Sequence, residues 1–243
     1  MAQPEDITAA LLVIGDEILS GRTKDKNIGA VADRMTEIGI RLREVRVVAD
    51  EEADIVAAVN VLRARYTYVF TTGGIGPTHD DITADSMAKA FGVPIGVDPR
   101  ARALMQASCD ARGVELTPAR LRMARIPGGA ELVDNPISIA PGFILGNVIV
   151  MAGIPDIMQV MLDAVTPHLK TGARLLSESI QIRQPESAIA DLFAEHQRLY
   201  PDVAMGSYPA MRDGKPIVDL VLRATDPDRL KQALATLRAK LVP

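Results

Sequence analysis

Cysteine is almost absent from this sequence, whose 243 residues include only Cys109. One thiol excludes an intramolecular disulfide framework and fits a reducing compartment. No histidine–aspartate constellation surrounds Cys109, so we interpret it as a small residue packed on a helix rather than as a nucleophile. We therefore expect a cytoplasmic protein held together by its core, for which 48% hydrophobic residues are ample.

The sequence also lacks an excess of one charge and a long apolar run, and we expect no leader segment. Its 27 basic and 31 acidic side chains give a formal charge of -4, which offers no general attraction to nucleic acid or anionic lipid. Residues 1–8 contain Glu5 and Asp6 where a leader needs positive charge. The longest apolar stretch, 142–154, is interrupted by Asn147 and is shorter than the roughly 20 residues of a membrane span. We expect no membrane partner.

The first seventy residues alternate between strand and helix patterns. Residues 9–14 form a continuous apolar run, typical of a strand covered on both faces, and 41–48 and 66–72 also read as strands. Between them, 26–38 and 55–62 place apolar residues at helical spacing. This β-α-β-α-β order predicts an α/β fold with three layers, α/β/α, around a mostly parallel sheet.

The following segments complete this first domain. Asp98-Pro99 and Thr117-Pro118 each predict a helix start, with a capping side chain before a proline. Residues 144–151 read as a hairpin, and 155–169 as a closing helix. We expect the first domain to span residues 1–170.

A change of pattern near residues 170–172 predicts a domain boundary, so that the second domain spans 171–243. Its pattern reads as a strand (174–182), a helix (186–200), two strands (203–208 and 216–224) and a final helix (226–240). We expect a small α+β domain in which two helices cover one sheet.

The segment Thr71–Thr83, TTGGIGPTHDDIT, carries the strongest chemical signal. It follows a buried strand and leads into a helix predicted over 84–91, and its glycines allow close approach of a ligand to backbone N–H groups, an arrangement that favours phosphate. It is neither a P-loop nor a dinucleotide fingerprint, because no Gly-Lys-Ser/Thr follows and Pro77 interrupts the pattern. A tight turn with no ligand is the alternative, but it does not explain Asp80 and Asp81, which would repel an anion unless a cation such as Mg²⁺ bridges them.

This segment resembles the T-T-G-G-x-G-P-T-x-D-D-x-T signature of molybdopterin-binding domains, above all of the CinA-type branch. Further segments resemble family motifs in the same order: GDEILSG at 15–21, Asp25 with Asn27, NP and APGF within 135–143, and GIPDIM at 153–158. The tail, from Pro185 onward, resembles the small KH-like domain that follows in CinA-type proteins. The resemblance therefore covers nearly the whole chain.

The resemblance implies a set of site residues. Asp81 and Asp50 match carboxylates that the family uses around a metal and phosphates, and with Asp80 they are the candidate catalytic residues. Ligand contacts are expected from Gly15, Asp16, Glu17, Asn27, Thr72, Gly73, Gly74, Gly76, Pro77, Thr78, Ser138, Pro141 and Gly142. Mg²⁺ or another divalent cation would be held by Asp50 and Asp81, and molybdopterin is the implied ligand.

Several of these residues also fit a structural role without a ligand. Asp50 also fits the N-cap of the helix that follows it, and Asp16 fits a turn that bonds its own backbone. His79 fits an exposed loop histidine better than a proton donor. Gly73, Gly74, Gly76 and Thr78 are expected to hold phosphate by backbone and hydroxyl donors, so that a bulky residue at 74 would abolish binding and leave the fold intact.

Three departures from the family pattern stand out. Ser138-Ile139 replaces a frequent Gly-Thr, and Asp156 stands where glutamate is usual. The sequence ends at Pro243 without the C-terminal amidase domain of full-length CinA proteins, so deamidation of nicotinamide nucleotides is not expected of it.

Two functions follow from the resemblance. The first is binding of a phosphate-bearing pterin or dinucleotide in molybdenum-cofactor metabolism; the alternative is divalent-metal-dependent cleavage of a nucleotide pyrophosphate such as ADP-ribose or FAD. Nucleic-acid binding or a purely structural role is disfavoured, since 171–243 has no GxxG clamp and little net charge. Because family members form oligomers, we expect a homo-oligomer.

Overall fold

The structure, a computed structural model, describes residues 6–138 and 140–241. Glu5, one of the two acids near the N-terminus, and Ile139 of the Ser138-Ile139 departure lie outside the described residues. The chain divides into two compact units between Gly172 and Ala173. Among the described helices, none has the length and apolar content needed to cross a membrane.

The first unit is built on a six-stranded sheet with strand order β2-β1-β3-β8-β7-β6. The strands are β1 (Thr8–Ile14), β2 (Arg41–Val48), β3 (Tyr68–Thr72), β6 (Glu131–Val133), β7 (Gly142–Leu145) and β8 (Val148–Met151). The neighbours β2-β1, β1-β3 and β3-β8 are parallel, whereas β8-β7 and β7-β6 are antiparallel. The prediction of a mostly parallel sheet is confirmed.

Helices cover both faces of this sheet. They are α1 (Asp16–Leu19), α2 (Asn27–Glu37), α3 (Glu52–Arg65), α4 (Thr83–Phe91), α5 (Pro99–Arg112), α6 (Pro118–Arg122) and α7 (Pro155–Val165). The central strand β1 shows why the layers form: Leu12 packs with α3 on one face, and Leu11 packs with α2 and α7 on the other. A continuous apolar strand is stable only when both of its faces are covered.

The parallel strands bring four chain segments to one edge of the sheet. The carboxyl ends of β1, β2, β3 and β8 are followed by Gly15, by Asp50, by the Gly73–Ile82 loop and by Gly153. Ligands of open α/β sheets collect at this edge. The fold therefore places the glycine loop next to the acidic segments that follow β1 and β2.

Some elements differ from the sequence-based expectation. The closing helix ends at Val165 and continues as a single 3-10 turn over Thr166–His168, because Pro167 has no N–H to extend the helical ladder. The hairpin turns at Gly146-Asn147 as expected, with Gly146 at φ 59. The short helix α1 and the two-stranded ribbon of β4 (Ile95–Val97) and β5 (Arg125–Pro127) were not predicted.

The predicted helix starts at Asp98 and Thr117 are confirmed. Asp98 accepts hydrogen bonds from the backbone N–H groups of Arg100 (2.8 Å) and Ala101 (3.3 Å), and its carboxylate also binds the Arg100 guanidinium. This arginine lowers the pKa of Asp98 to about 2. Thr117 caps α6 by accepting the N–H of Arg120 at 3.3 Å.

The second unit is a three-stranded antiparallel sheet with order β10-β11-β9, covered by two helices. Its elements are β9 (Leu176–Ile182), α8 (Ala190–Leu199), β10 (Ala204–Arg212), β11 (Lys215–Ala224) and α9 (Pro227–Leu241). The expected helix 186–200 is divided, since Glu186–Ala188 forms a 3-10 turn before α8. The strand expected over 203–208 runs on to Arg212.

We predict that Asp98→Ala lowers the free energy of unfolding by about 1–2 kcal/mol, because α5 loses its N-cap. Since the folded pKa of Asp98 is about 2 and its ordinary value is 3.8, the loss should be complete above pH 4 and shrink as the pH falls towards 2. Urea unfolding at several pH values measures it. The control is Asp110→Ala at the other end of α5, where a carboxylate opposes the helix dipole; an equal loss in both variants would contradict the assignment.

Candidate functional site

Two close contacts, one with the backbone and one with a buried side chain, fix the path of the glycine loop. A Cβ placed on Gly73 would lie 2.1 Å from the carbonyl oxygen of Ile14, and one on Gly74 would lie 2.2 Å from Oγ1 of Thr83. Both glycines have positive φ, 104 and 65. Only glycine fits either position, because any side chain would both collide and strain the backbone.

Thr83 fastens the loop to the start of α4. Its hydroxyl donates to the carbonyl of Gly73 (2.9 Å), and its N–H donates to the carbonyl of Gly74 (3.0 Å). The side chain is fully buried. Thr83 ends the motif recognised in the sequence, but its supporting role was not foreseen, since the motif gives no sign of which threonine turns inward. Thr72, on β3, is also buried and therefore does not face an open ligand space.

Asp81 closes the other side of the loop. Its Oδ2 accepts the N–H of Thr78 at 2.8 Å and the hydroxyl of Thr78 at 2.5 Å. A Cβ on Gly76 would lie 2.6 Å from the same oxygen, so Gly76 leaves room for this carboxylate. The expectation that Thr78 donates to phosphate needs correction, because both of its donors are used by Asp81.

Only some of the backbone N–H groups of the glycine loop are free to donate to a phosphate. The N–H of Gly73 donates to the carbonyl of Met151 at 3.2 Å and is unavailable to a ligand. Within the described part of the chain, the N–H groups of Gly74 and Gly76 donate to no protein acceptor. The predicted four-residue cradle is therefore reduced to these two glycines, which precede the N-terminus of α4.

A cleft opens directly beside these glycines. It is shallow, with an internal volume of only about 20 Å³, and Gly74, Gly76, Asp81 and Pro141 of the predicted residues line it. Asp85, Arg122 and Arg125 also line it and were not predicted. The two arginines lie in the segment LRMAR, outside every motif recognised, and their spacing of three was the one available signal.

Asp85 and Arg125 form a bidentate pair within the cleft. The two guanidinium nitrogens Nη1 and Nη2 lie 2.8 and 2.6 Å from the two carboxylate oxygens. The pair joins α4 to β5, and both side chains are about one-third exposed. Its charges compensate each other, so the pair shapes the cleft wall without giving it a net charge.

A second group of acids lies at the ends of β1 and β2. The N–H of Asp16 donates to Oδ2 of Asp50 at 2.9 Å, which joins the start of α1 to the end of β2. Burial raises the pKa of Asp50, and the nearby carboxylates of Asp16, Glu17 and Asp80 raise it further against the opposing effect of that hydrogen bond. These four acids therefore share one electrostatic environment.

The N-cap alternative for Asp50 is wrong. The residue before α3 is Glu51, and no side chain caps that helix. Gly15 is buried and donates its N–H to the carbonyl of Val48 at 3.1 Å, so it closes β1 against β2. Its Cβ position lies 2.5 Å from the Glu17 carboxylate, which would have to move to admit a side chain at position 15.

Asn27 supports the glycine loop from the opposite side. It is buried and donates from Nδ2 to the carbonyl of Gly153 at 2.8 Å. Gly153 packs on the glycine loop, with its Cβ position 3.2 Å from Cα of Gly73. Asn27 is thus connected to the loop through Gly153, and it is not among the residues that line the cleft.

Three other predicted residues lie away from the cleft lining. Ser138 is exposed, accepts a hydrogen bond from Nδ2 of Asn135 at 2.5 Å and borders a separate depression on α5 and α6. Gly142 lies inside β7, where a Cβ would meet the carbonyl oxygen of Val150 at 2.4 Å. Pro77 is exposed on the loop surface, as is His79, whose side chain is 98% accessible. His79 is therefore an exposed loop histidine, as interpreted from the sequence.

The described residues contain no preformed metal cage. Within 6–138 and 140–241, no three His, Cys, Asp or Glu side chains are grouped closely enough to hold a metal ion. Mg²⁺ sites often use one or two carboxylates and complete their coordination with ligand phosphates and water. Asp81 lines the cleft, whereas Asp50 lies outside the lining and interacts electrostatically with Asp80 of the same loop. Both carboxylates have the donor chemistry that a magnesium ion uses.

Comparison with known proteins identifies the family of the chain. Residues 10–171 match the model described as "Probable molybdopterin binding domain", and 174–243 match "FAD synthase, middle domain". The chain belongs to the molybdopterin-binding domain family. Within it, the crystal structure of the protein CinA from Thermoplasma acidophilum is 33% identical with a TM-score of 0.62, covering 68% of this chain and 99% of that one.

Full-length relatives extend the likeness through both units. A protein of Aeropyrum pernix is 34% identical over 220 residues, which is 86% of this chain and 82% of the relative. A CinA-like protein of Citrifermentans bemidjiense is 32% identical over 252 residues, 96% of this chain but 58% of the relative. The chain thus spans little more than half the length of that CinA-like protein.

We predict that Gly74→Ala lowers the free energy of unfolding by about 1–2 kcal/mol or more, because the new methyl group meets Thr83 and a non-glycine residue is strained at φ 65. This corrects the expectation that substitution at 74 leaves the fold intact. Denaturant unfolding measures the loss. Gly29→Ala in α2 is the control, since nothing lies within 4 Å of its Cβ position; a Gly74→Ala variant as stable as Gly29→Ala would refute the packing assignment.

Proposed function

We propose that the cleft beside the glycine loop binds a small phosphate-bearing molecule, a pterin of the molybdopterin type or a nucleotide. The observation that carries the proposal is the pair of uncommitted N–H groups of Gly74 and Gly76, which border the cleft and precede α4. Free backbone amides of a glycine-rich loop can donate hydrogen bonds to phosphate oxygens. The family description, which names molybdopterin, supports the pterin.

The acids around the cleft fit a divalent cation shared with the ligand. Asp81 lines the cleft, and Asp50 is crowded by Asp16, Glu17 and Asp80, whose repulsion a cation would relieve. When bound, Mg²⁺ would neutralise part of the phosphate charge. The role of Asp81 itself is to hold the loop through Thr78 and to present a carboxylate beside the phosphate.

We predict that Asp81→Asn removes the magnesium dependence of ligand binding. Calorimetry with ADP-ribose, with Mg²⁺ or with EDTA, should show an affinity gain from Mg²⁺ in the wild-type chain and a gain at least tenfold smaller in the variant, as expected for loss of a charge-assisted contact of about 1.5–3 kcal/mol. Asp33→Asn, an exposed acid on α2, is the matched control and should behave as wild type.

The paired measurement separates a ligand-binding role from a purely structural one. If Asp81 only braces the loop, its loss weakens binding by the same factor with Mg²⁺ and with EDTA, and the metal part of the proposal fails. If the wild-type chain binds neither ADP-ribose nor a pterin phosphate, the whole proposal fails.

A second candidate function is hydrolysis of a nucleotide pyrophosphate. Two observations favour it: the half-buried Asp50 carboxylate, whose raised pKa suits proton uptake from water better than an ordinary aspartate, and the match of 174–243 to a domain named for FAD synthase. Attack of water on one phosphorus of ADP-ribose would break the P–O–P bridge and give AMP and ribose 5-phosphate.

We predict that the purified chain releases AMP from ADP-ribose or FAD with Mg²⁺, Co²⁺ or K⁺, and that Asp50→Asn slows the release at least a hundredfold, as for loss of a general base. Chromatographic quantification of AMP measures the rate. Asp54→Asn, at the start of α3, controls for a simple loss of charge near this edge. If the wild-type chain releases AMP no faster than Asp81→Asn does, the hydrolase function is eliminated. Ligand binding without hydrolysis then remains the proposed function.

A further inference from the structure

The cleft contains one cation that the protein leaves uncommitted. Of the two arginines lining it, Arg125 is held by both oxygens of Asp85. Arg122 is exposed and, among the described residues, makes no hydrogen bond or ion pair with its side chain. A guanidinium without a partner beside a ligand cleft is available to an anionic group.

The backbone beneath Arg122 is firmly held. The short helix α6 begins at the Thr117 cap, and Arg122 is its last residue. The next two residues continue the turn, since Met123 donates to the carbonyl of Arg120 at 3.0 Å and Ala124 donates to that of Leu121 at 3.1 Å. The side chain of Arg122 therefore extends from a fixed position, and only its own rotamers need to be ordered when it binds.

The charges of the cleft indicate what Arg122 would bind. Asp85 and Arg125 compensate each other, which leaves Asp81 and Arg122 as the two uncompensated charges of the lining. Under the proposed function, the amides of Gly74 and Gly76 bind one phosphate. A second anionic group in this small cleft would be repelled by the carboxylate of Asp81. Contact with Arg122 would offset that repulsion, because the guanidinium donors match phosphate oxygens in geometry and charge.

We propose that Arg122 binds a second anionic group of the ligand and so makes the site selective for diphosphates over monophosphates. This inference rests on the proposed phosphate-binding function and deepens it by naming the ligand class. Arg122 acts as a specificity-determining residue, and the amides of the glycine loop supply the contact common to both classes.

The test compares two probes that differ by one phosphoryl group. Calorimetry at a fixed Mg²⁺ concentration gives the dissociation constants of AMP and ADP for the full chain, for Arg122→Gln and for Arg102→Gln. Arg102 is an exposed arginine on α5 outside the cleft lining, and its replacement removes the same charge. Arg122→Gln should weaken ADP binding tenfold or more and AMP binding less than twofold, whereas Arg102→Gln should leave both unchanged within twofold.

Each other outcome overturns the inference in a distinguishable way. If Arg122→Gln weakens AMP and ADP equally, or leaves both unchanged, Arg122 binds no second group, while the proposed function stands. If Arg102→Gln reproduces the loss, the effect is long-range electrostatics. If the wild-type chain binds neither nucleotide, the nucleotide part of the proposed function fails together with the inference. Equal thermal melting of all three proteins confirms that folding is unaffected.

Discussion

The contact between the end of β3 and the end of β1 is the constraint on which the site depends. Gly73 can follow its path only because no Cβ meets the Ile14 carbonyl. With the chain held there, the buried hydroxyl and N–H of Thr83 take up the carbonyls of Gly73 and Gly74. The carbonyls of Gly73 and Gly74 are thereby satisfied, whereas the N–H groups of Gly74 and Gly76, which line the cleft, donate to no described protein acceptor. The unpaired donors are a direct product of how the loop is packed.

The acids around this loop divide into a structural and an electrostatic group. Asp81 uses one carboxylate oxygen to fix Thr78, so it contributes to loop stability as well as to the cleft. Asp50 joins β2 to α1 and is destabilised as an anion by burial and by its acidic neighbours. The repulsion between these carboxylates destabilises the protein when no cation is bound, and a cation shared with a ligand would relieve it. The crowded carboxylates that destabilise this edge of the sheet therefore favour the binding of an anionic ligand together with a cation.

The sequence predicted the layered fold and the loop well because both follow from local patterns. The apolar run of β1, the glycines at 73 and 74 and the proline-marked starts of α5 and α6 each reflect a short-range physical requirement. What escaped prediction depends on tertiary contacts. Thr78 was expected to face the ligand but turns to Asp81, and Asn27 lies behind the loop. Arg122 lines the cleft from α6, almost fifty residues along the chain from the glycines, and no motif connects them.

Hydrogen exchange of the loop amides, with and without a bound ligand, tests the central claim most directly. Adding ADP-ribose and Mg²⁺ to the full chain should slow exchange in the segment 73–83, where free amides become donors to phosphate, and should leave β10 in the second unit unchanged. Unaltered exchange in 73–83 while the ligand is bound elsewhere, as shown by protection in another segment, would contradict the assignment of this loop as the phosphate site.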